Sequence, residues 1–179
     1  MIVGSATMTT TQTVSFGLHV HYWQAYLVDA TDDAMGPDGM LDDHPTHPVG
    51  IIRVEDGDAF LITGLHTGTV GFSVAVAADD PGPETGYEDI VEISIESEAG
   101  RFELHEWGGG DVHELPELPA GPGWYRLRYH AQNMDQAAEA DTSREVIDRY
   151  LLQIWPQDES EPRVVQSASG HLAYWRRPR

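Results

Sequence analysis

Apolar and polar residues alternate with a period of two through most of the apolar segments, and no segment sustains the spacing of a long amphipathic helix. Val14, Phe16, Leu18, Val20 and Tyr22 alternate with Ser15, Gly17, His19 and His21. Val70, Phe72, Val74 and Val76 alternate with Gly71, Ser73 and Ala75, and Val91, Ile93 and Ile95 with Glu92, Ser94 and Glu96. Successive side chains of a strand point to opposite faces, so each run implies one buried and one solvated face. The early strand is expected to continue from Trp23 to Val28 through a bulge, where the alternation slips.

Between these runs lies turn chemistry. Asp56-Gly57 joins residues 50–54 and 59–63 as a hairpin. Residues 29–50 form a loop too long for a plain connection. Shorter loops are expected at 79–86, at 107–111 with its Gly108-Gly109-Gly110 run, and at 116–123. Residues 135–145 are polar and Ala-rich and make the one plausible helical turn. Strands are expected near 124–130, at 147–155 and, as an edge, at 163–167. These readings give an all-β fold, a single-domain antiparallel β-sandwich of about eight to ten short strands. Its expected organisation is a flexible segment over residues 1–12, the sandwich over 13–170 and a basic tail over 171–179.

A chain of 179 residues can bury a core without staples, and with no cysteine it has neither disulfides nor thiolate chemistry. No apolar run reaches the length of a membrane span, and the first residues lack the basic start and apolar core of a signal peptide; cytoplasmic residence is expected. Charge is more telling. Thirty Asp and Glu face 10 basic residues, all arginine, for a net charge of -20. Such a chain repels nucleic acid and anionic membranes and attracts a basic partner.

No nucleophile elbow or phosphate loop is present, since the Gly108-Gly109-Gly110 run lacks the following Lys, and no cofactor is expected. His19 and His21 sit two apart on one strand face, a spacing found in cupin-type metal sites. Gln24 stands where such a site wants a carboxylate, however, and the later His is missing. The bland reading is two histidines on a solvated face. Asp42, Asp43, His44 and His47 cluster in the long loop, either as ligands for a divalent ion or as a solvated polar stretch.

Acid is concentrated over residues 79–117, with 13 acidic side chains and Arg101 as the one base. Glu92 and Glu96 share the polar face of their strand and are expected to form an anionic docking surface. Trp107, flanked by Glu106 and Asp111, is the expected aromatic anchor of that interface. The other reading of this face is a solubility surface.

The aromatic run His19-Val20-His21-Tyr22-Trp23-Gln24-Ala25-Tyr26, the Asp38-Gly39 loop and the later run from Leu118 through Gly123, Trp124 and Tyr125 to Leu127 resemble the competence protein J family. Its members are small β-sandwich inhibitors of bacterial nucleases. The pattern spans residues 13–131, and this chain runs longer at its C-terminus. The resemblance implies a β-sandwich without enzymatic activity that inhibits a nuclease or toxin, and it assigns no individual residue. Three functions are thus expected in order: an acidic immunity-type or nuclease-inhibitor protein, a metal-dependent β-barrel enzyme using His19 and His21, and a structural or regulatory domain.

Overall fold

The structure, a computed structural model, describes residues 10–34 and 48–177. It is an all-β sandwich of two sheets over one shared apolar core. The strands are β1 (Thr11–Val20), β2 (Gln24–Asp29), β3 (Ile52–Glu55), β4 (Asp58–Ile62), β5 (Thr67–Ala77) and β6 (Asp89–Ser97). They continue with β7 (Phe102–Glu106), β8 (Val112–Glu114), β9 (Gly123–Gln132), β10 (Thr142–Ser143), β11 (Arg149–Pro156) and β12 (Arg163–Gln166). Two short helices, α1 (Met134–Ala140) and α2 (Gly170–Trp175), flank the last strands. The first sheet runs β1-β5-β11-β9-β6-β12, with β10 beside β5, and the second runs β3-β4-β2-β7-β8.

The alternating runs of β1 and β5 turn one face inward as their period implies, while in β6 only Glu96 of the polar face is exposed. In β1, Leu18 and Val20 are buried while Ser15, Gly17 and His19 are exposed. The inner faces meet on Phe72, Phe102, Tyr125, Tyr129 and Tyr150, all nearly inaccessible. These large rings dominate the burial that holds the sheets together.

Three expectations need correcting. First, the aromatic run after β1 is not one bulged strand. Tyr22 and Trp23 take positive φ values of 52° and 59°, and the Gln24 N–H closes the turn on the His21 carbonyl at 3.1 Å. The chain therefore leaves the first sheet and enters the second, with β2 pairing β4 and β7. Second, pairing is mostly antiparallel, but β11 inserts parallel to β5, residues 149–154 against 71–76. Third, the strands outnumber the expectation, because short pieces such as β8 and β10 carry too few residues to alternate visibly.

The residues after 170 are built into the body. Ser169 caps α2 by accepting the Leu172 N–H at 3.0 Å, and Leu172 is fully buried. Asp89 accepts the N–H groups of Ala168 and Ser169, and Asp135 those of Gly170 and His171. Among the described residues no helix is long and apolar enough to cross a membrane.

Candidate functional site

One end of the sandwich carries a cleft of about 840 Å³ built by five segments. The Asp56-Gly57 turn closes the β3–β4 hairpin with φ values of 50° and 83°, the doubly positive pair a two-residue hairpin requires. It sets Asp56 and Asp58 on one wall. The ends of β2 and β6 supply Asp29, Glu96 and Glu98. Asp33 follows β2, and Glu159 comes from the crossing between β11 and β12. Trp124, at the start of β9, also lines the cleft and is 36% exposed. Among the described lining residues none is Lys or Arg.

Asp29 organises this wall. It is buried, and its carboxylate accepts the Ser97 hydroxyl at 2.6 Å and the Glu98 N–H at 2.7 Å, with Ala99 N–H at 3.3 Å. The turn that presents Glu98 is thereby fixed from below. The Asp29 N–H in turn donates to Asp58 at 3.1 Å. Burial raises the Asp58 carboxyl above its usual range, against the Asp29 hydrogen bond, and the charges of Asp29 and Asp56 push the same way as burial. The cleft therefore holds more negative charge than it compensates. Low-dielectric walls lined with one sign of charge focus potential and draw counter-ions.

The sequence-predicted site residues divide among three places. Glu96 lines the cleft. Glu92 does not: it is buried, contrary to the expected solvent-facing surface, within reach of Arg126 at 3.4 Å, Arg128 at 3.5 Å and Arg163 at 2.8 Å. The cause is the ring of guanidinium groups from β9 and β12 that closes around it, with the crossing before β12 laid over Ser94 and Arg126. Arg126 donates to the carbonyls of Ser160 and Glu161, anchoring the cover. Burial pulls the Arg126 guanidinium below its usual pKa, and Glu92 opposes the shift. Arg128 also reaches Asp80 at 2.8 Å and lies 4.5 Å above the Trp155 ring. The Arg128 bond holds the Asp80 carboxyl below its ordinary range.

Glu106, Trp107 and Asp111 lie at the opposite end, with His19 and His21. Glu106 accepts the His19 N–H at 2.9 Å, the Asp111 N–H at 3.2 Å and the His113 ring at 3.2 Å. Burial works to raise its carboxyl, but these bonds outweigh it and hold the group low. Trp107 is half-buried, edge-on to His21 at 4.8 Å and 5.2 Å from Tyr22, so its ring is packed against neighbours on one side. His21 and His66 share the Thr67 hydroxyl, each at 2.7 Å. The two histidines of the metal hypothesis are thus spent differently, with His19 exposed and His21 packed among rings. Among the described residues no group of three or more His, Asp or Glu is placed to hold a metal ion. Asp42, Asp43, His44, His47 and the Asp38-Gly39 loop lie outside the described residues.

The architecture defines a class, the two-sheet β-sandwich with a mixed first sheet and a carboxylate-lined cleft at one end. No protein-family model and no curated protein sequence matches the chain. Two solved structures share the fold. ComJ from Bacillus subtilis, an inhibitor of the DNA degrading activity of NucA, superposes with a TM-score of 0.58 at 13% identity, covering 84% of this chain and 99% of that one. The structure described as crocagin biosynthetic gene J superposes at 0.50 with 14% identity, covering 83% and 99%. The resemblance read from the sequence therefore holds at the level of the fold.

Proposed function

We propose that this protein is a non-catalytic binding protein that docks a basic partner in its acidic cleft, the partner being a nuclease or a toxin of similar charge. The carrying observation is the cleft itself, where seven carboxylates converge, with no Lys or Arg among the described lining residues and with the exposed Trp124 indole at hand. A nuclease must present positive charge to phosphate, so a rigid anionic concavity can occupy the surface that phosphate would use. The fold shared with ComJ, itself a nuclease inhibitor, supports the same reading. Trp124 would supply apolar contact beside the charges, the usual composition of a binding hot spot.

The test uses the purified chain against basic nucleases captured from its native host. Nuclease inhibition that fades with rising salt, and that disappears when Asp56, Glu96 and Glu98 are all changed to Arg, is expected. Inhibition unmoved by the triple reversal, or no inhibition of any captured nuclease, overturns the reading.

A further inference from the structure

Among the described residues four strands end the two sheets: β1, β12, β3 and β8. Three are short and charged, with Arg163 in β12, Arg53 and Glu55 in β3, and Glu114 in β8. Short length and charge are the ordinary protections of a sheet edge. β1 has neither. It runs 10 residues, Thr11–Val20, with no charged residue, no proline and no break in its register with β5. In a chain of net charge -20 this neutral edge is the exception.

The backbone direction along β1 follows from two bonds. The His19 N–H donates to Glu106, away from β5. Gly71, opposite Gly17, sends its own N–H to Asp148 on the far side of β5. Gly17 and His19 therefore occupy non-hydrogen-bonded pairs with β5. In an antiparallel ladder every second residue shares that state, so Thr13 and Ser15 also turn their N–H and C=O groups outward. Among the described residues no strand takes up this edge.

We infer that the free edge of β1 pairs antiparallel with β1 of a second copy of this chain, across a two-fold axis at Ser15. In that register Ser15 exchanges both backbone hydrogen bonds with its copy, and Thr13 pairs with Gly17 of the second copy. Val14 faces Phe16 of the second copy, and both side chains are only partly buried within one copy. No charge stands opposite another anywhere in the pairing. Charge selects this occupant: the edge offers nothing to a charged strand, and a second β1 matches its neutrality residue for residue. His19 stays outside the ladder because Glu106 already holds its N–H. The two acidic bodies repel over distance, so pairing strengthens as salt rises. That is the opposite of the salt response of docking to a basic partner, so either idea can fail without the other.

The experiment is sedimentation equilibrium of the full chain at low and high salt. A monomer–dimer equilibrium that shifts to dimer with salt is expected. Thr13→Pro removes an outward N–H while leaving the β1–β5 bonds in place, and should abolish the dimer. Ser15→Glu and Ser15→Arg each set like charges opposite at the axis and should each be monomeric, while an equal mixture of the two should dimerise again. Circular dichroism confirms folding of each variant, and the charge pair keeps the test alive if the proline variant does not fold. A monomer under every condition, or a dimer that these variants neither split nor rejoin, overturns the inference.

Discussion

The guanidinium of Arg163 closes over the carboxylate of Glu92 at 2.8 Å, with Glu92 buried and Arg163 mostly exposed. The relationship is lopsided. Glu92 also compensates the buried Arg126 and Arg128, whereas Arg163 has solvent to fall back on. Glu92→Ala should therefore cost about 3–5 kcal/mol, as expected when a buried charge cluster loses one sign. Arg163→Ala should cost about 1 kcal/mol or less. Denaturant unfolding of both variants checks this, and equal costs would refute the picture of Glu92 as a buried hub.

His130 gives stability a pH dependence of definite sign. It is fully buried, its Nδ1 bonds the Leu151 carbonyl and its Nε2 accepts the Glu84 N–H. Burial lowers its pKa to about 4. The unfolded chain takes up a proton near the ordinary imidazole value of 6.5, while the folded chain resists until about 4. Stability is therefore lost as pH falls through that window, by an amount on the order of 3 kcal/mol for this group. Unfolding free energies of wild type and His130→Gln, measured between these pH values, should diverge in slope, the variant being flatter. Parallel slopes would show that the imidazole does not titrate differently on folding.

Binding of a basic partner should separate charge from contact. Reversing Glu96 and Glu98 to Arg should lower the association rate far more than it raises the dissociation rate, and rising salt should have the same effect. Trp124→Ala should act on dissociation, weakening binding by about 2 kcal/mol if the indole is an anchor. Stopped-flow kinetics at two salt concentrations distinguish the two. The reverse assignment would mean that the carboxylates are buried in the contact and the indole is not.

Gly64 is required for space. A Cβ there would lie 2.3 Å from the Met134 carbonyl oxygen and 2.6 Å from its Cα, both backbone atoms that cannot rotate away. Gly64→Ala should destabilise the fold by about 1–3 kcal/mol or more. Thermal melting checks it; a melting temperature within error of wild type would mean that α1 shifts freely.

The strands β1, β5, β6 and β9 were legible because one face of each meets the core and the other does not. The Asp56-Gly57 hairpin was legible from its turn residues. The path after Val20 was not, since Tyr22 and Trp23 adopt a turn conformation foreign to their types, held by the packing of Tyr22, Trp23, His66 and Trp107. Glu92 and Glu96 read alike in the sequence, two residues of one strand face. What separates them is the set of guanidinium groups, Arg126 and Arg128 on the neighbouring strand and Arg163 from far along the chain, that closes around Glu92 and leaves Glu96 at the cleft. The cleft was illegible for the same reason: Asp29, Asp56, Glu98 and Glu159 come from four segments, and local acid density favoured residues 79–117 instead. Trp124 shares its strand face with Arg126 and Arg128, opposite the core-facing Tyr125 and Leu127, and the pattern alone does not mark it as a cleft residue.

The placement of β11 has a temporal consequence. It lies in the middle of the first sheet, between β5 and β9, yet it leaves the ribosome only after β1 through β10. Until residues 149–156 emerge, β1 and β5 have no neighbour on their inner side, and β9 and β6 stand as a separate pair. Contacts this distant in sequence close slowly. The nascent chain must therefore wait, with half-built sheets, until residues 149–156 have been synthesised. A ribosome-bound or prematurely terminated product would carry much of the acid of the finished protein without the cleft that gives the acid its shape.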